Sequence, residues 1–158
     1  MRAVVVDRPM EPRDLVVREI DAPVPGPGEV AIDVRAAGCN FSDVLMLRGA
    51  YQVKPPLPFV PGREASGIVA AVGEGVTHCA PGDRVLAFTD LGAFAERVVV
   101  PAAEVHRLPD AMSFEHGAAI PIVYPTAHAA LVDRAAIRAG ETLLVHAAAG
   151  ATGLAAVQ

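Results

Sequence analysis

Leu143-Leu144-Val145 runs without a break into His146-Ala147-Ala148-Ala149-Gly150-Ala151-Thr152-Gly153, and no other stretch limits the fold of this chain as much. A short apolar run from Thr142 to Val145 reads as a strand buried on both faces, and the Ala-rich segment beginning at Leu154 reads as a helix. Strand, tight turn and helix together form the opening βα unit of a doubly wound domain. A turn of small residues lets a pyrophosphate approach the backbone, where free N–H groups and the helix dipole meet its charge. Gly150 suits that close approach and Gly153 suits helix-to-strand packing, while Ala148 stands where a three-glycine fingerprint has its first glycine. An Ala-rich helix packed on a sheet produces the same letters with no ligand, so taken alone the turn leaves both readings open.

The rest of the chain is built differently. From Met1 to about Leu108, short runs of Val, Ile and Thr are separated by Pro and Gly clusters such as Pro23-Val24-Pro25-Gly26-Pro27-Gly28, a pattern that predicts a compact β-barrel. One short helix is expected over Phe41 to Leu47, with Val44, Leu45 and Leu47 on one face, Asn40 as its cap and Gly49 at its end. After Pro109 the composition turns Ala-rich. Ser113 is placed to cap a helix over Phe114 to Ala119, and Thr126 to open another that runs to Val132.

Composition removes several classes of function. An apolar fraction of 53% in 158 residues is that of a folded domain plus part of another. A net charge of -5 with scattered Lys and Arg offers no basic face for nucleic acid. No apolar run reaches the roughly 20 residues of a membrane helix, and the N-terminus carries no leader pattern, so cytoplasmic residence is expected by elimination. Two cysteines, Cys39 and Cys79, are too few for a disulfide scaffold or a four-thiolate zinc lobe, and both are expected to be reduced.

Six blocks occur in order along the chain: Gly38-Cys39-Asn40-Phe41-Ser42-Asp43, Arg48-Gly49-Ala50-Tyr51, Pro58-Phe59-Val60-Pro61-Gly62, Gly73-Glu74-Gly75-Val76, Pro81-Gly82-Asp83-Arg84-Val85 and His146-Ala147-Ala148-Ala149-Gly150. In these blocks the sequence resembles the zinc-free quinone oxidoreductases of the medium-chain dehydrogenase/reductase superfamily. The resemblance implies a mostly β GroES-like barrel followed by the first βα unit of a Rossmann domain, truncated. It places a substrate domain over residues 1–122 and the incomplete start of a nicotinamide dinucleotide-binding domain over 123–158. It also implies NADPH as cofactor, with NADH the alternative, and a homodimer when the protein is full length. At the cofactor turn, Ala151 and Thr152 depart from the family's usual glycine and valine, and Ala151 adds a methyl near the phosphate path.

Zinc-bearing members of the superfamily resemble the same stretch but carry a metal-binding Cys where this chain has Asn40 and a His where it has Arg63. Cys39 is one residue out of register, and Phe88 to Pro101 leaves no room for a structural zinc lobe. A catalytic zinc wants about three N, S or carboxylate ligands, which a guanidinium cannot supply, so no zinc is expected. By resemblance the Asn40 amide also faces the nicotinamide ribose. Tyr51 lies on a loop stiffened by Lys54-Pro55-Pro56, and the resemblance implies that it lines the substrate pocket or gives a proton. The bland alternative is a tyrosine packed over the proline run. Thr126 matches a threonine at the nicotinamide end, and Gly150, Ala151, Thr152 and Gly153 form the phosphate turn. Asp43 and Glu64 are expected to hold loops by hydrogen bonds. None of His78, His106, His116, His128 or His146 has metal-pair spacing, and all five are expected on the surface or in packing.

These residues together imply hydride reduction of a quinone or an electron-poor double bond without metal, with Tyr51 and Asn40 as hydrogen-bond donors. By itself the chain, holding one strand of the nucleotide domain, is expected to be inactive. A non-catalytic crystallin-like or binding protein of the same fold is the competing class. A zinc alcohol dehydrogenase is a distant third, because a simple alcohol would usually call for a Lewis acid.

Overall fold

The structure is a computed structural model that describes residues 1–158. The chain divides into two compact units, Met1–Ala119 and Ile120–Gln158.

In the first unit, β1 (Arg2–Val4) and β2 (Val17–Glu19) pair antiparallel. A second sheet holds β3 (Glu29–Ala37), β4 (Glu64–Val72), β5 (Arg84–Phe88), β6 (Arg97–Pro101) and β7 (Val105–Arg107) in the order β6-β3-β4-β5-β7, antiparallel throughout. The Pro and Gly punctuation predicted a compact barrel of short strands, and the sheet is an open half-barrel of five such strands. Val30, Ile32, Val69, Val85, Ala87, Val98, Val100 and Val105 form its core.

The expected helix α1 spans Phe41–Leu47 and buries Asp43, Met46 and Leu47. The expectation that Val44 and Leu45 would join Leu47 on the buried face is corrected, since both are half-exposed and Met46 is the deeper residue. Gly49, at φ 66°, ends the helix, and its N–H donates to the Met46 carbonyl over 3.0 Å. The helix α2 (Phe114–Ala118) is capped by Ser113, whose hydroxyl accepts from the His116 N–H. A second tie holds this helix to the sheet: buried Ser66 on β4 donates its hydroxyl to the Phe114 carbonyl.

The second unit contains α3 (Val123–His128), a wider helical turn over Ala129–Arg134, and α4 (Ala151–Val157). Three expectations are corrected here. Thr126 does not cap a helix; it lies inside α3 and donates its hydroxyl to the Ile122 carbonyl over 2.6 Å. The reason is that Ile122 is already in the helical region, at φ -102° and ψ -54°, so the helix opens before the threonine. The last helix opens at Ala151 with Gly150 as its N-cap, one turn earlier than expected. Thr142–Val145 has no ladder partner and forms no strand, with Leu143 41% and Leu144 78% exposed. A strand is defined by its neighbour's hydrogen bonds, and this chain supplies none beside it.

Candidate functional site

β3 runs into Gly38-Cys39-Asn40 and then α1, while β4 begins at Glu64, so the strand pair β3–β4 brings the start of the helix against the start of β4. Asn40 takes extended geometry at φ -115°, ψ 156°, the ordinary conformation of an N-cap. Its own N–H donates to Asp43 Oδ2 over 2.7 Å, the return half of a capping box. Its side-chain amide does something else: Nδ2 donates to Glu64 Oε1 over 2.8 Å. Glu64 is only 3% exposed and lies directly on the backbone of Gly38, where a Cβ would fall 2.2 Å from Oε1. Only glycine leaves room for the carboxylate there.

Burial pushes the Asp43 carboxyl above the usual carboxylate range, against the pull of the Asn40 N–H, the Arg63 charge and the Gly62 N–H. Its Oδ1 is buried without a hydrogen-bond partner. Partial desolvation first, then the Asp43 and Glu64 carboxylates, also hold the Cys39 thiol up, so it is kept protonated and weakly nucleophilic. Arg63 stacks over the Phe88 ring at 5.2 Å and reaches Asp90 at 3.8 Å.

This donor set does not fit zinc. The residues around Asn40 are an amide engaged with Glu64, a guanidinium on an aromatic ring and a thiol held protonated, and no three His, Cys, Asp or Glu side chains converge on one point. The five histidines all lie exposed.

Tyr51 stands away from Asn40, past the other end of α1, a seven-residue helix about 10 Å long. Its N–H folds back onto the Leu45 carbonyl at 3.1 Å, and its ring packs on the Val6, Met46, Leu47 and Phe59 cluster. Tyr51 is thus packed on an apolar cluster of the first unit.

In the second unit, the turn His146–Ala149 leads through Gly150 into α4. Ala147 sits at φ 51°, a left-handed conformation that costs a non-glycine residue about 1 kcal/mol. The strain curls the turn under the helix so closely that a Cβ on Gly153 would lie 2.3 Å from the Ala147 carbonyl oxygen. At Gly150 the corresponding position meets a single non-neighbouring atom, that same oxygen at 3.3 Å, and is otherwise open. The first-turn N–H groups of Ala151, Thr152 and Gly153 lie beyond the reach of intrahelical carbonyls. An open glycine beside such groups leaves room for an anion such as a phosphate to approach the backbone. Thr126, with its hydroxyl proton spent on Ile122, belongs to this same unit.

The residues that sequence reasoning underrated are Glu64, Asp43 and Gly38. Asp43 and Glu64 do hold local structure by hydrogen bonds, as expected, but the direct bond of Glu64 to Asn40 had no local signal. Gly38 preceding Cys39-Asn40 was the available hint, since a glycine outside any turn marks close approach.

These features define a mostly β unit built on an open antiparallel half-barrel, followed by a short helical unit. Residues 26–110, more than half of the chain, match the alcohol dehydrogenase GroES-like domain family, and the chain belongs to it. The chain is 47% identical over 136 residues to the synaptic vesicle membrane protein VAT-1 homolog of Rattus norvegicus, covering 86% of this chain and 34% of that protein. It is 46% identical over 144 residues to quinone oxidoreductase-like protein 2 of Mus musculus, covering 90% of this chain and 41% of the relative. Among solved structures, the quinone oxidoreductase of Thermus thermophilus, also solved in complex with NADPH, superposes with a TM-score of 0.86 at 41% identity, over 99% of this chain and 48% of that one. The chain thus spans between a third and a half of the length of these relatives. Its relatives are medium-chain oxidoreductases, and the GroES-like half-barrel and the resemblance read from the six sequence blocks are both borne out.

Proposed function

We propose that the protein carrying this chain reduces quinones or electron-poor double bonds with a nicotinamide dinucleotide, NADPH in the first place, and does so without zinc. The single observation that carries this reading is the Asn40–Glu64 hydrogen bond in a chain related to quinone oxidoreductases, because it puts a neutral amide, engaged with a buried carboxylate, where a zinc enzyme of this fold needs a ligand. When bound, the nicotinamide supplies a hydride. Quinones and enones take that hydride at carbon because the charge delocalises onto oxygen, so hydrogen-bond donors suffice as stabilisers.

In this reading residues 1–122 form the substrate domain and 123–158 begin the nucleotide domain. Gly150, Ala151, Thr152 and Gly153 hold the phosphates, and Thr126 and Asn40 contact the nicotinamide end. Tyr51 lines the substrate pocket. The full-length protein is a homodimer that resides in the cytoplasm.

The test is a pair of measurements on the protein in its longest natural form: loss of nicotinamide absorbance with a quinone as acceptor, and the same assay after exhaustive chelation. The expected result is quinone-dependent NADPH consumption unchanged by chelation. Activity that disappears with the chelator and returns with zinc overturns the metal-free reading; absence of NADPH binding overturns the enzymatic one.

A further inference from the structure

We infer that Glu64 is a positioning residue that locks the Asn40 side chain so that it offers one N–H donor to the nucleotide; the inference rests on the cofactor role proposed above for Asn40.

An asparagine amide is symmetric in shape and its two ends are easily exchanged, so what faces a ligand depends on what holds the other end. In the structure Asn40 Nδ2 donates to Glu64 Oε1 over 2.8 Å, so the NH2 faces Glu64. The opposite end of the amide is turned toward the N-terminus of α1, on the capping-box side, where Asp43 returns its carboxylate to the Asn40 N–H. One amide hydrogen is spent on Glu64, the oxygen lies at the cap, and the second hydrogen is what remains to be given away.

Glu64 can hold this geometry because it is itself held. It is 3% exposed, its carboxylate rests on Gly38, and the Gly38 N–H donates to its carbonyl over 3.2 Å. A buried carboxylate in a fixed place gives a stronger and better aimed hydrogen bond than a solvated one. The acceptor chemistry that fits one fixed N–H is a ligand oxygen, such as a ribose hydroxyl.

The test is nuclear magnetic resonance on the protein in its longest natural form, following the side-chain amide of Asn40 with exposed Gln52 as the internal reference, in wild type and in Glu64→Gln, with NADPH as the titrant. In wild type the Asn40 amide protons should exchange with solvent about fivefold more slowly than those of Gln52, the factor that one net hydrogen bond of about 1 kcal/mol gives. In Glu64→Gln, whose amide can either accept from or donate to Asn40, both orientations of the Asn40 side chain become possible, so the protection should fall severalfold while the backbone spectrum is retained, and NADPH should bind severalfold more weakly. Exchange of Asn40 as fast as Gln52 in wild type overturns the lock without need of any variant. Unchanged protection or unchanged NADPH affinity in Glu64→Gln overturns the role of Glu64. If protection drops in the variant but NADPH moves the Asn40 signals in neither protein, the lock stands and the cofactor role of Asn40 falls, and the donor part of this inference falls with it.

Discussion

Asp43 carries the least comfortable charge at the site. It is 3% exposed, its Oδ2 takes the Asn40 N–H, its Oδ1 is unpartnered, and burial holds its carboxyl above the ordinary carboxylate range. A raised carboxyl binds its proton more tightly in the folded chain than in the unfolded one. Its contribution to stability is therefore fully present below the ordinary carboxylate value and is lost as pH rises through the raised one. Asp43→Asn retains an acceptor for the Asn40 N–H with no charge to bury. Denaturant unfolding from acid to neutral pH should show a smaller fall in stability toward neutrality in Asp43→Asn than in wild type, and equal slopes would assign that fall elsewhere. Asp43→Ala, which abandons the Asn40 N–H, should cost about 1 kcal/mol at neutral pH. Much of this was legible beforehand. Asn40 was legible as the cap of α1, because capping is local chemistry, whereas Asp43 was legible only as a residue that holds its loop.

Helices whose signals are local came out as read: α1 over Phe41–Leu47, and α2 behind Ser113. Those whose limits depend on neighbours did not. Thr126 lies inside α3, and Gly150 rather than a residue nearer Leu154 opens α4. The turn before α4 makes the sharpest demand on any element, since a methyl on Gly153 would meet the Ala147 carbonyl oxygen at 2.3 Å and the Ala148 Cα at 2.8 Å. Both are backbone atoms, and the turn already stores the strain of Ala147 at φ 51°. Gly153→Ala should therefore displace α4 from its turn at a cost of about 1–3 kcal/mol and weaken NADPH binding at least tenfold. Spectral changes confined to residues 145–158 would support this, and wild-type NADPH affinity in the variant would contradict it.

At the scale of the molecule the two units differ in how much they bury. The Met1–Ala119 unit contains almost the whole buried core, whereas in Ile120–Gln158 only Val123 and Ala127 are buried apolar residues, and Leu144, Leu154 and Val157 are 78%, 50% and 61% exposed. Local opening is cheapest where few apolar contacts must be broken. Limited trypsin digestion of the chain should therefore cut at the exposed Arg134 and Arg138 before it cuts at Arg84 or Arg97 in the sheet, as read by mass spectrometry of early fragments. Simultaneous cleavage at all four would show that the units open together.

Sequence alone determined the punctuation of the half-barrel, the helices α1 and α2 and the family, because each of these is written in residues close together in the chain. Tertiary structure alone decided the rest. Glu64 meets Asn40 across 24 residues only because β3 and β4 pair so that Ala37 lies opposite Ala65, and it fits there only because Gly38 has no side chain. The apolar run at Leu143-Leu144-Val145 has the composition of a buried strand, yet a strand is a relation between two backbones, and one segment's letters cannot supply the other.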